Sequence, residues 1–233
     1  MTSMKRIFVA LDNMDKDQIF ALLEKSKGKI SSVKIGLELF NLYGKELVQE
    51  VYDKYQVEIF LDLKLHDIPN TVSKAIRSLE GLPISYLTLH LSGGLDMLKA
   101  SAKMRDTSLP KCKLLGVSIL TSLSDEDIEM IWGITNTKDL FKNLFLLAKK
   151  SGIEGVVCSP YELEILNVLD LELESMCPGI RFQDEIDEKS TGDQKRVLSP
   201  SSAIESGATN LVIGRSLTQA DSLDARIQEI EAI

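Results

Sequence analysis

The chain has 233 residues, 44% hydrophobic and 27% charged, a composition typical of soluble globular proteins that excludes disordered, fibrous and membrane-embedded classes. A formal charge of -8 and a pI of about 5.0 exclude the broad basic field that non-specific nucleic-acid binding requires. No nucleic-acid partner is expected, and an anionic substrate would need a few clustered cations to overcome the global sign.

After Lys5 and Arg6 an apolar run stops at Asp12, short of the roughly 7–15 apolar residues of a secretory signal. No stretch reaches the roughly 18 apolar residues of a membrane span, so a cytoplasmic protein without a membrane partner is expected. Cys112, Cys158 and Cys177 form no CxxC pair and leave an odd count, which argues against a disulfide framework and a thiolate metal site.

Short β-rich apolar runs recur along the chain at residues 6–11, 32–35, 58–63, 86–90, 114–119, 155–158, 173–176 and 210–213. Segments with helical periodicity lie between them, among them 16–25, 45–54, 71–79, 139–150, 161–169 and 200–206. Continuous runs such as IFVAL and LVIG suit parallel strands covered on both faces. The alternation predicts an α/β chain folded as a single (β/α)8 TIM-barrel domain over residues 1–233, with an open doubly wound sheet as the alternative. Residues 179–195, charged and without a periodic pattern, read as a long connection of the kind that forms lids.

Charged residues recur at the strand ends. Asp12 ends FVALD, Lys34 lies in SVKIG, and Asp62 and Lys64 lie in FLDLKLHDIPNT, residues 60–71. Strand alternation puts Asp62 and Lys64 on one face and Leu61, Leu63 and Leu65 on the other. Alone, such a pair fits a structural ion pair at a strand end. Four charges at the ends of three adjacent strands are hard to explain as packing, and a barrel carries its active site at the C-terminal strand ends. In an alternating Lys-Asp array each ammonium is held charged by its carboxylates. Asp67 follows in the loop, and Ile68-Pro69 opens a helix with Thr71 in its first turn.

Thr121, after the fifth strand, offers a hydroxyl to the same mouth; its alternative role is a helix N-cap, with Ser122 and Ser124 as competitors. Barrels frequently bind phosphate in the loops after strands seven and eight. Here those loops carry Pro178-Gly179-Ile180-Arg181, with Gln194 further along, and Gly214-Arg215-Ser216. A GR pair after a strand is by itself also a surface turn; with Arg181 in the preceding loop it becomes a candidate grip for a dianion.

In this order, FVALD, VKIG, DLKLHDIPNTV, ILTSL, CPGIR, DQKRV and VIGRSLTQA resemble the orotidine 5'-monophosphate decarboxylase family of the bacterial type over nearly the whole chain. DxKxxD alone is shared with sugar-phosphate relatives of the same barrel; its continuation into IPNT and the PGIR and GRS loops points to the nucleotide enzyme. The resemblance implies conversion of OMP to UMP and CO2 without metal or organic cofactor. It also implies a homodimer with active sites at the interface, where Asp67, Ile68 and Thr71 reach the neighbouring subunit's site.

Carried over position by position, Asp12 and Lys34 bind ribose hydroxyls, Lys34 also joining the charged array, and Thr121 contacts the pyrimidine. Arg181, Gln194, Gly214 and Arg215 close over the phosphate beside Pro178, Gln194 also reaching the base. Lys64 donates the proton, Asp62 lies beside the departing carboxylate, and Asp67 completes the array from the partner. Cys177 stands where the family commonly has Thr, and Leu91 where it has Ala.

The implied reaction leaves a carbanion at C6, which a fixed ammonium can stabilise and protonate. His66 and His90 are the only histidines, and no His/Cys/carboxylate cluster has metal spacing. His66 reads as a helix-entry residue and His90 as one that orders a loop. The competing readings are a Mg2+-dependent 3-keto-gulonate-6-phosphate decarboxylase or hexulose-phosphate synthase, and a non-catalytic nucleotide-binding barrel.

Overall fold

The computed structural model describes residues 4–187 and 197–233. The strands are β1 (Ile7–Ala10), β2 (Ser32–Gly36), β3 (Glu58–Leu65), β4 (Tyr86–His90), β5 (Lys113–Val117), β6 (Gly155–Val157), β7 (Glu174–Cys177) and β8 (Asn210–Ile213). Each pairs in parallel with the next, and β8 returns to β1 through Ile7 opposite Leu211. The sheet therefore closes as the expected (β/α)8 barrel rather than an open doubly wound sheet.

Among the described residues the helices are α1 (Lys16–Lys25), α2 (Leu37–Tyr55), α3 (Pro69–Ser78), α4 (Gly94–Ser108), α5 (Asp125–Trp132) and α6 (Thr137–Ser151). They continue with α7 (Leu163–Leu169), α8 (Gln183–Asp187), α9 (Pro200–Glu205), α10 (Arg215–Thr218) and α11 (Leu223–Glu231). The periodicity at 45–54 captured only the second half of α2. Its first half carries Leu37 and Leu42 in solvent, 54% and 66% exposed, and Gly44 interrupts the helix with φ 65 and ψ -153. In α4 the buried face of Met97, Leu98, Ser101, Ala102 and Arg105 includes two polar residues, which blurs the apolar stripe that sequence patterning relies on.

Period-two alternation sorts side chains between two cores. Ile7, Val9, Val33, Ile35, Ile59, Leu61, Leu87 and Leu89 pack outward against the helices. Phe8, Ala10, Phe60, Tyr86, Leu115, Met176 and Val212 fill the barrel interior. Phe8, Phe60 and Tyr86 meet edge to face at ring-centroid distances of 5.9, 5.4 and 6.3 Å, a geometry that favours aromatic pairs beyond their burial. This layer is the floor on which the mouth of the barrel stands.

Leu91, in the turn after β4, is fully buried, and its side chain lies where a Cβ on Gly116 would be, 2.3 Å from Leu91 Cδ2. Gly116 thus makes room for the larger residue, and the difference from the usual alanine is absorbed by packing. Leu91→Ala is expected to cost about 2–5 kcal/mol of unfolding free energy, read from urea midpoints, because it removes buried methyl groups and leaves a cavity. A loss under about 1 kcal/mol would show that this packing contributes little.

Candidate active site

A cavity of about 640 Å³ opens at the C-terminal ends of the strands, within the usual range for small-molecule sites. Its wall includes Asp12, Lys34, Asp62, Lys64, Thr121, Pro178, Arg181, Gly214 and Arg215, and Phe60 from the aromatic floor lies beneath. Residues scattered over most of the sequence are brought together here by barrel closure.

The register explains the charged array. Lys34 pairs with Phe60 and Gly36 with Asp62, so the inward side chains of β2 and β3 rise in step from apolar floor to charged rim. Lys34 Nζ donates to Asp12 Oδ1 at 2.9 Å and lies 3.6 Å from Asp62 Oδ2. Lys64 Nζ donates to the same Oδ2 at 2.6 Å. Asp12, Lys34, Asp62 and Lys64 form a continuous chain of alternating sign. A Cβ on Gly36 would stand 2.6 Å from Asp12 Oδ1 and 3.0 Å from Lys34 Nζ, so only glycine lets the backbone pass this pair.

Burial alone would raise the Asp62 carboxyl, but Lys34, Lys64 and the hydroxyl of Thr88 outweigh it and hold Asp62 below the usual carboxylate range. Asp62 is therefore a buried anion at neutral pH. Lys64 is less enclosed, its side chain 37% exposed toward the cavity.

Sequence alternation did not reveal the backbone of β3. Leu63 and Leu65 do pack toward the outer core, but four residue steps on β3, Leu61 to Leu65, face two on β4, Leu87 to Leu89. Within that irregularity Lys64 takes the left-handed conformation with φ 50, uncommon for a residue with a Cβ and found disproportionately at functional sites. Thr88, fully buried on β4, donates to Asp62 Oδ1 at 2.9 Å and accepts from Lys64 N at 2.8 Å. Thr88 and Gly36 are site residues that the sequence did not single out.

Across the cavity, Ser124 rather than Thr121 caps α5. Its Oγ accepts from Asp127 N at 3.2 Å while the Asp127 carboxylate accepts from Ser124 N at 2.8 Å, a capping box. Thr121 lines the cavity. Arg181 is buried and Arg215 is exposed at the start of α10. Both also border a second cavity of about 350 Å³ that extends toward Arg226.

The 179–195 connection is not without structure in its described part. Ile180 bridges to Leu198, and residues 183–187 form α8. Three of its carboxylates have partners: Asp184 pairs with Arg226 at 2.6 Å, Glu185 accepts from Phe182 N at 2.9 Å, and Asp187 accepts from Gln183 at 2.9 Å. Arg226 also lies 4.2 Å over the Phe182 ring, tying α8 to α11. Gln194 and Glu188 lie outside the described residues.

Asp67, Ile68 and Thr71 are exposed and do not line the cavity. Asp67 Oδ1 accepts from Ile68 N at 2.6 Å, and Ile68, 66% exposed, precedes Pro69 at the first turn of α3. The histidine rings lie 5.1 Å apart beside the array; burial, then His66 and Lys64, push His90 below its ordinary value, so its ring is neutral at pH 7. The three cysteines are buried thiols, and burial pushes Cys112 up to about 12. Among the described residues no cluster of three His, Cys, Asp or Glu side chains is placed to hold a metal ion.

The sequence profile of the orotidine 5'-phosphate decarboxylase / HUMPS family matches residues 5–230. A protein of Ehrlichia canis named orotidine 5'-phosphate decarboxylase is 42% identical over 231 residues, covering 97% of this chain and 95% of that protein. One of the same name from Pasteurella multocida is 37% identical over 234 residues, covering 100% and 97%. Among solved structures, the orotidine 5'-phosphate decarboxylase of Lactobacillus acidophilus superposes with a TM-score of 0.81 at 31% identity, covering 97% of both chains. An uncharacterized conserved protein of Geobacillus kaustophilus gives 0.80 at 28% identity, covering 96% and 99%.

Proposed function

The chain belongs to the orotidine 5'-phosphate decarboxylase / HUMPS family, and from that premise we propose that it is the carboxy-lyase of pyrimidine biosynthesis that converts OMP to UMP and CO2. The observation that carries this reading is the chain Asp12–Lys34–Asp62–Lys64, with contacts of 2.9, 3.6 and 2.6 Å, at the mouth of the barrel.

When CO2 leaves, the electron pair of the broken bond stays on C6 of the pyrimidine. Lys64, already oriented by Asp62, meets that charge at little reorganisation cost and passes its proton to C6. Asp62 lies beside the departing carboxylate. Asp67, exposed on this chain, completes the array in a homodimer by entering the neighbouring subunit's site together with Ile68 and Thr71. Asp12 and Lys34 take the ribose hydroxyls, and Thr121 takes the pyrimidine. Arg181, Arg215, Gly214 and Pro178, with Gln194, surround the phosphate.

Neither metal nor organic cofactor is needed for these steps. The space between the carboxylates of Asp12 and Asp62, where a shared divalent cation would sit, is taken by the Lys34 ammonium. That placement favours the nucleotide decarboxylase over a Mg2+-dependent sugar-phosphate enzyme of the same family. Residues 1–233 act as one domain in this reading, in the cytoplasm and without nucleic acid or membrane.

The purified chain should consume OMP at an undiminished rate in excess EDTA, followed as loss of ultraviolet absorbance, with UMP as product. Tight UMP binding without turnover would instead make it a binding protein. Activity restored only by Mg2+ on a sugar phosphate would place it with the other branch.

A further inference from the structure

We propose that Thr88 is a positioning residue for the decarboxylation, one hydroxyl that fixes both the anion beside the scissile bond and the backbone that carries the proton donor. The inference rests on the reaction just described and adds to it a residue outside the charged array.

A hydroxyl has one proton to donate and lone pairs to accept with. Thr88 uses both. Its Oγ1 donates to Asp62 Oδ1 at 2.9 Å, leaving Oδ2 for Lys64 at 2.6 Å and Lys34 at 3.6 Å. Each carboxylate oxygen is thus committed, and the Asp62 side chain cannot rotate without breaking a bond to a buried group. The same Oγ1 accepts from Lys64 N at 2.8 Å. The uneven register of β3 against β4 interrupts the ladder at Lys64, and a side chain on the neighbouring strand takes that backbone donor instead.

That bond bears on the conformation of Lys64. A φ of 50 at a residue with a Cβ persists only where the surroundings hold it. Thr88 is fully buried between Tyr86 and His90 on the inward face of β4, so water is not at hand to replace its hydroxyl. Threonine is also β-branched and stiff at χ1, which keeps Oγ1 aimed at both partners. Thr88 is not among the residues that line the cavity; it acts by presetting where the Lys64 ammonium and the Asp62 carboxylate stand relative to C6.

Thr88→Val, which keeps the shape and removes the hydroxyl, is expected to lower kcat for OMP by about tenfold to a hundredfold, the cost of two unpaired buried groups expressed in the barrier. KM should change by less than about threefold, since the ribose and phosphate contacts are untouched, and Thr88→Ser should recover most of kcat. A residue important only for packing would give the reverse order, with serine, which loses a methyl, the worse of the two. The proposal is overturned if the valine form keeps kcat within about threefold of the parent, if serine fails to rescue, or if the loss appears in KM alone. Should valine prevent folding, Thr88→Cys, a weak donor of similar size, must show an intermediate kcat; a parental rate in a folded Cys form overturns it equally. Failure of the unmodified chain to turn over OMP sinks the reaction itself and is read from the parent alone.

Discussion

Lys64→Ala is expected to lower kcat for OMP by on the order of 10⁴-fold while UMP binding changes by no more than a few fold. Two contributions are lost together: positioned proton transfer, typically worth about 10²–10⁴, and a fixed charge aimed at the developing carbanion, worth about 10²–10³. They are not independent, so the product of the two is an upper bound. No other cation in the array can take over, because Lys34 is held between Asp12 at 2.9 Å and Asp62 at 3.6 Å. The substitution adds no backbone cost, since alanine and lysine both carry a Cβ at the φ of 50. It does remove the nearest partner of Asp62, whose carboxyl moves back up toward its ordinary range. A depressed carboxyl contributes stability that is present above the usual carboxylate range and lost as pH falls through the folded value. The variant therefore gives up part of this contribution at neutral pH and shows a shallower loss of stability on acidification. Single-turnover kinetics on OMP measure the loss in the chemical step, and a titration with UMP measures the unchanged binding. A variant that still forms UMP with kcat within tenfold of the parent would remove Lys64 from the chemistry.

What could be read in the sequence depended on whether a residue's reason lay along the chain or across space. The strands were legible because parallel strands buried on both faces are continuous apolar runs, and Lys34, Asp62 and Lys64 were legible because a charge inside such a run is costly. Thr88 escaped notice for the opposite reason: threonine in a strand is ordinary, and only its two hydrogen bonds to β3 give it a special place. Gly36 is required by an Asp12 oxygen that approaches from another strand end. The irregularity at Lys64 left no trace because Leu61, Leu63 and Leu65 keep their alternation through it. Residues 179–195 read as a single irregular connection because α8, Gln183–Asp187, is too short to show helical periodicity. Asp67, Ile68 and Thr71 carry no signal in the folded chain beyond exposure, and their assignment rests on the family resemblance and on a second subunit.

Arg215→Ala should reduce kcat/KM for OMP by about 10–10²-fold while changing stability by no more than about 1 kcal/mol, since Arg215 is exposed and truncating an exposed side chain costs folding little. Arg215 stands at the first position of α10 and, with the buried Arg181, lines the cavity. A charge-assisted grip on a dianion is worth about 1.5–3 kcal/mol, and losing one of two such grips sets the scale. Binding energy from a group that does not react is used to exclude water and hold the base, so the loss should appear in kcat as well as KM. Arg226 cannot substitute, being engaged with Asp184 at 2.6 Å and stacked on Phe182. The discriminating substrate is orotidine without its phosphate: kcat/KM for this nucleoside should be the same in parent and variant, because the interaction removed has no counterpart on it. An equal drop for nucleotide and nucleoside would mean that Arg215 acts on the barrel mouth as a whole, and the phosphate would have to be sought elsewhere.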